Sequence, residues 1–180
     1  MTSINLSDLI PQLEDHLGIE PGFFDSLDDD GENDWSFVIK LHALMEAAVS
    51  NMLTETFKRQ ELSDLFARMD LSNKTTGKAA FVKSLNLLEE PERRFMSSLS
   101  ILRNSLVHDV RNVSFDFGEH VSMMNEQKQQ QFVKDFNIIS TEVTNDVRKL
   151  FLADPRQAIW YAGMAFLGLV YLKIRPTHMH

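Results

Sequence analysis

Between Trp35 and Phe57 the apolar residues Val38, Leu41, Met45, Ala48, Val49, Met52, Leu53 and Phe57 return every three or four positions, with no glycine or proline among them. That spacing lines one face of an α-helix and does not suit a strand, whose side chains alternate with a period of two. A single apolar stripe does not hold a helix in water by itself, so the stretch must bury its stripe against other helices. The same spacing recurs along the chain. It carries Leu62, Leu65, Phe66 and Met69, then Phe81, Val82, Leu85 and Leu88, then Phe95, Leu99, Leu102 and Leu106. A further stripe holds Phe132, Phe136, Ile139, Val143, Val147 and Leu150. Only 7 Gly and 5 Pro interrupt 180 residues. The sequence therefore predicts an all-α fold, a helical bundle of about five main helices joined by short loops.

Punctuation residues divide the chain. Residues 1–34 hold a short helix over Leu6, Leu9, Ile10, Leu13 and Leu17, interrupted at Pro11, followed by an acidic loop, "IEPGFFDSLDDDGEND". Residues 35–152 form the main helical domain. Asp34 is expected to cap its first helix, "DLSNKTTGK" to form a polar loop, and a helix to cover Lys78–Leu88. Pro91 suits a first helical turn, and "RNVSFDFGE" (111–119) reads as extended or irregular. Asp154-Pro155 breaks the chain before residues 153–180, whose core is an apolar C-terminal helix.

Composition narrows the chemistry. There is no Cys, which excludes disulfides, thiol catalysis and cysteine-bound zinc. The formal net charge is −8, so nucleic acid meets no overall basic field and any RNA contact must be a local patch. The acidic loop lacks calcium-loop spacing: Gly31 falls fourth from Asp28, where an EF-hand needs Gly sixth. A solvated loop is expected there. There is no P-loop, Gly-rich dinucleotide turn, HExxH or GxSxG. Neither a metal centre nor a cofactor is expected, and His178 and His180 read as a tail or cloning remnant. The acidic, amphipathic start lacks the basic and apolar regions of a signal peptide, so a cytoplasmic location is expected. Residues 158–172 carry no charge. They are short for a straight span of about 20 apolar residues. A helix packed on the bundle or on a second subunit is therefore favoured over a membrane anchor, although Trp160, Tyr161 and Tyr171 suit membrane interfaces and Arg156, Lys173 and Arg175 flank the run.

The segment "LRNSLVHD", residues 102–109, is where chemistry concentrates. Arg103 offers a fork of donors that clamps a phosphate and keeps its charge. His108 can exchange a proton near neutral pH. Five residues apart on a regular helix, the two point about 140° from each other. They converge if the helix ends near Val107 or if two subunits meet. A structural role is the alternative: His108 favoured by the helix dipole, and Arg103 paired with Glu89, Glu92 or Asp109.

This segment resembles the arginine–polar–x–x–x–histidine signature of HEPN (higher eukaryotes and prokaryotes nucleotide-binding) domains. The stretch from Trp35 to about Phe117 is also similar in layout to mannitol operon repressor-type proteins, on "FVIKLHALMEAAVSNML", "TETFKR" and "TTGKAAFVKSLNLL" before the motif helix. The resemblance implies a HEPN-like bundle and a homodimer whose motif helices build a composite cleft. It implies that His108 helps to activate a ribose 2′-hydroxyl, that Arg103 steadies the charge on the phosphate, and that Asn104 orients the pair. Arg111, Lys74 and Lys78 are candidate RNA-backbone contacts, with Arg93 and Arg94 nearby and Glu89, Glu90 and Glu92 diluting their field. His42 is read as a core or boundary histidine, and His16 and His120 as solvated. Phe115 and Phe117 are expected to dock their loop on the bundle. Three functions follow as expectations: a metal-independent endoribonuclease of toxin or defence type, with RNA and an antitoxin as partners; a non-catalytic regulator that binds a partner protein; and a membrane-tethered interaction domain.

Overall fold

The structure, a computed structural model, describes residues 6–29, 31–138 and 142–174, and for Leu6, Ser7 and Asp8 the backbone alone. Ten α-helices and two 3-10 turns, and no strand, lie among the described residues. They are α1 (Leu6–Leu17), α2 (Phe23–Ser26), α3 (Asp34–Phe57), α4 (Ser63–Arg68), α5 (Lys78–Ser84), α6 (Glu90–Val107), α7 (Phe117–Ser122), α8 (Glu126–Phe136), α9 (Asn145–Ala153) and α10 (Pro155–Ile174). The all-α class is as expected; the count of about five main helices is not. Alongside the longer α1, α3, α6, α8 and α10 stand five short helices: α4 and α5 fall where short helices are expected, while α2, α7 and α9 cover stretches that the sequence reads as loops or as part of a longer helix.

Helix α3 is the centre of the bundle. Its buried face carries Val38, Leu41, Met45, Ala48, Val49, Met52 and Leu53 of the expected stripe, with Phe37 added, whereas Phe57 at the helix end is exposed. The cap is Asn33, whose side chain accepts from Ser36 N at 2.8 Å. Asp34 instead accepts from Phe117 N at 2.7 Å and lies 3.5 Å from the Arg156 guanidinium, tying the starts of α3, α7 and α10 together. The most extensive partner of α3 is α10. There Gly163 lets the backbones approach, since a Cβ at that position would stand 2.7 Å from Leu41 Cδ1. Ala158, Ile159, Ala162, Phe166, Leu167 and Val170 of α10 are buried. By length and composition α10 is apolar enough to cross a membrane, yet half of that window is buried within the bundle. The N-terminal segment joins the same core through Leu13, Phe24 and Leu27.

Four local expectations are corrected. The acidic loop contains α2, because Phe24 and Leu27 are fully buried and Arg156 donates to the carbonyls of Leu27, Asp29 and Glu32. The stripe from Phe132 to Leu150 is two helices. Helix α8 stops at extended Asn137, and Thr144 caps α9 by accepting from Val147 N. Ile139, counted in that stripe, lies outside the described residues, as do Arg175, His178 and His180. The segment after the motif is a 3-10 turn, Val110–Ser114, followed by α7, which Asp116 caps through Glu119 N. Helix α5 stops at Ser84, short of the expected Leu88, with Asn86 turning the chain at φ 51°.

Candidate functional site

Helix α6 carries the motif. It opens with a reciprocal cap: Glu89 is the N-cap, Glu89 N donates to Glu92 Oε2 at 2.7 Å, and Pro91 sits in the first turn. Phe95, Met96, Leu99, Leu102 and Leu106 face the core, and Trp35 Nε1 donates to Leu106 O at 3.4 Å. The helix ends at Val107, with His108 as a C-cap that keeps helical angles of φ −80° and ψ −11°. Extended Asp109 then breaks the chain and caps the following turn by accepting from Arg111 N at 2.9 Å.

Arg103 and Asn104 enter one polar basin of about 200 Å³, lined also by His42, Glu46, Asp70, Leu71 and Ser72. Arg103 Nη1 donates to Asn104 Oδ1 at 3.1 Å. None of the carboxylates named as alternative partners engages it: Glu92 caps α6 and faces Lys173, Glu89 takes part in the cap, and Asp109 is held by Arg111. His108 does not line the basin. Its side chain is exposed and makes no hydrogen bond or ion pair among the described residues. The end of the helix at Val107 therefore does not bring Arg103 and His108 together within one chain, because His108 continues the helical path.

The basin is built by the crossing of α3, α6 and the loop after Asp70. His42, buried, shares a hydrogen bond of 3.2 Å with Ser100 Oγ, and Ser100 Oγ donates to Met96 O at 2.8 Å. Burial holds the His42 pKa below the ordinary histidine value. The Arg103 and Lys78 charges push the same way, while Glu46 and Asp70 oppose them. His42 is thus a boundary residue, as its position beside the stripe suggests, and one that faces Arg103.

The cations are placed unequally. Lys78 has no exposed surface, and its Nζ lies 2.9 Å from Glu46 Oε1. Its charge is used inside the fold rather than offered at the surface. The signal for this was present: Lys78 and Val82 stand four apart on the buried side of α5. Arg111 is exposed and chelated by Asp109, at 2.5 Å between Nη2 and Oδ2, which draws the Asp109 carboxyl below its usual range. Lys74 is exposed in the loop before α5. Lys83, which no motif marks, lines a groove with Lys74, Arg93 and Arg94. Phe115 packs on buried Phe117 at 5.0 Å and on His120, so that loop is docked. Among the described residues no group of three or more His, Asp or Glu is arranged to hold a metal ion.

Among the described residues, one face of α6 is left without a partner. Ile101 is 65% exposed, and on the same side lie Asn104, Ser105 and His108. Val107 and Val110 are exposed beside them. No family model, no curated protein and no solved structure matches this chain.

Proposed function

We propose that the chain is a HEPN-like domain that acts as a homodimer through α6 and cleaves single-stranded RNA without a metal. The observation that carries the reading is the pairing state of the motif: Arg103 has no carboxylate partner among the described residues, Asn104 holds its fork, and His108 is exposed and uncommitted on the neighbouring solvent face. A two-fold axis beside Ile101 and Ser105 would set His108 of the partner subunit against Arg103, across the open rim of the basin. Small Ser105 allows close approach, and Ile101, Val107 and Val110 supply apolar area for the contact.

In such a cleft the His108 imidazole accepts the proton of a ribose 2′-hydroxyl. The O2′–P bond forms, the P–O5′ bond breaks, and the proton passes to the leaving 5′-oxygen. Arg103 carries the charge that develops on the phosphoryl oxygens. The products are a 2′,3′-cyclic phosphate and a 5′-hydroxyl. Purified protein incubated with mixed single-stranded RNA in EDTA is expected to cleave it and to leave DNA of the same sequence intact. His108→Ala and Arg103→Ala are each expected to lower the rate by about 10²-fold or more while keeping the fold. Equal cleavage by all three proteins would remove this site from consideration.

A non-catalytic regulator of the mannitol repressor type is the second reading. The net charge of −8 and the neutralisation of Arg94, Arg111 and Arg148 by carboxylates favour it. A wild-type protein that dimerises but leaves RNA intact would put that reading first.

A further inference from the structure

We infer that the groove formed by α5, the Leu71–Gly77 loop and α6 is a track for the phosphodiester backbone of single-stranded RNA. This rests on the RNA reading above and extends it, because it assigns where the strand lies before it reaches the motif. The groove has a volume of about 490 Å³ and is bordered by four cations, Lys74, Lys83, Arg93 and Arg94, against two carboxylates, Glu90 and Asp135. On a chain of net charge −8 that local excess stands out.

Glu90 neutralises one of the four cations, and Asp135 is hydrogen-bonded but keeps its charge. Glu90 accepts from Arg94 one turn on, and Asp135 accepts from Gln131 Nε2 at 2.7 Å. Arg93 is anchored by donating to Leu88 O, which fixes its position without neutralising it. Lys74 and Lys83 are exposed and make no ion pair among the described residues. With Arg94 neutralised by Glu90, three cations, Lys74, Lys83 and Arg93, face the single carboxylate of Asp135, and a row of phosphates satisfies the excess. Ser72, Ser97 and Ser98 add hydroxyl donors, and Ala79 and Met96 give an apolar element against which sugars and bases can lie.

The groove also leads to the motif. Ser72 borders both this groove and the basin that holds Arg103 and Asn104. A backbone seated on Lys83, Arg93 and Lys74 would pass Ser72 and arrive at Arg103. It crosses the N-terminal half of α6, leaving Ile101, Ser105 and His108 of the C-terminal half free for the second copy.

The test is fluorescence anisotropy with a short fluorescein-labelled oligouridylate on the full-length protein. For single strands log K falls by about 0.7 per neutralised phosphate for each tenfold rise in salt. Two contacts are therefore worth about 25-fold at roughly 0.1 M salt. Lys74→Ala/Lys83→Ala is expected to weaken binding by about that factor and to flatten the salt slope by about 1.4. Lys128→Ala/Lys149→Ala, at exposed lysines on other elements, is expected to bind like wild type. Oligothymidylate should compete, since its phosphates are the same. That double loss of affinity supports the track even if wild type cleaves nothing, in which case only the ribonuclease reading falls. Cleavage with binding unchanged in Lys74→Ala/Lys83→Ala overturns the track and leaves the motif standing. Absence of oligouridylate binding, or displacement by polyglutamate at lower concentration than by unlabelled oligouridylate, overturns it too, the latter in favour of an acidic protein partner.

Discussion

The Glu46–Lys78 pair gives an asymmetric prediction about the floor of the basin. The Lys78 side chain has no exposed surface, whereas the Glu46 side chain keeps 35% of its own, with 2.9 Å between Nζ and Oε1. Deleting the carboxylate leaves a buried ammonium without its counter-charge; deleting the ammonium leaves a carboxylate that water already reaches. Loss of one member of a fully buried pair costs about 3–5 kcal/mol. Water entering the space vacated by Glu46 would hydrate Nζ in part, so Glu46→Ala is expected to cost about 2–3 kcal/mol. Lys78→Met preserves most of the stem's volume and strands no charge, so its cost should stay below about 1 kcal/mol. In a domain of this size each kcal/mol moves Tm by about 2–4 °C. Glu46→Ala should therefore melt about 4–12 °C below wild type, and Lys78→Met less than about 4 °C below. Far-UV circular dichroism melts at pH 7.5 read both. A Lys78→Met protein that melts below Glu46→Ala would refute the reasoning, since it would mean that the ammonium is worth more to the fold than its burial costs. The same Lys78→Met protein should bind oligouridylate like wild type, in contrast to Lys74→Ala/Lys83→Ala.

Burial depresses the pKa of His42 and of His120, so the unfolded chain takes up protons first as pH falls through about 6.5. Stability in urea should accordingly drop between pH 7.5 and the acid side of that value, and His42→Gln should flatten the slope; a stability that rises over this interval would contradict the burial of His42. Asp34, raised by burial, works in the opposite sense but within the carboxylate range. At the α3–α10 crossing, Gly163→Val places carbon against Leu41, which has no room to yield, and should cost about 2 kcal/mol by chemical denaturation; a neutral substitution would show that the helices can separate there.

Where local physics decides structure, the sequence was readable. Most of the stripe of α3 and the start of α6 at Pro91 follow from spacing and from proline's fit to a first helical turn, and both appear in the structure. The division between α8 and α9 was not readable from the stripe, because apolar positions continue through a segment whose backbone leaves the helix at Asn137 and re-enters at Thr144. For the motif, residues and an angle were legible but surroundings were not. His42, Glu46 and Asp70 meet Arg103 because α3 and the loop before α5 cross α6, a tertiary fact with no local signature. Lys78 and Lys83, five apart on one short helix, take opposite fates, one inside and one outside, and only the company of Val82 hinted at the first.

The central claim is that Arg103 of one copy works with His108 of the other, and mixing two inactive variants tests it most directly. Arg103→Ala and His108→Ala proteins, each inactive alone, are combined in equal amounts, allowed to exchange subunits, and assayed on single-stranded RNA. About half of the dimers are then mixed, and each mixed dimer holds one intact site of two, so about a quarter of wild-type activity should return. A mixture that stays inactive, while wild type cleaves and light scattering shows that the mixed dimers have formed, would contradict the shared site and return both residues to a single chain.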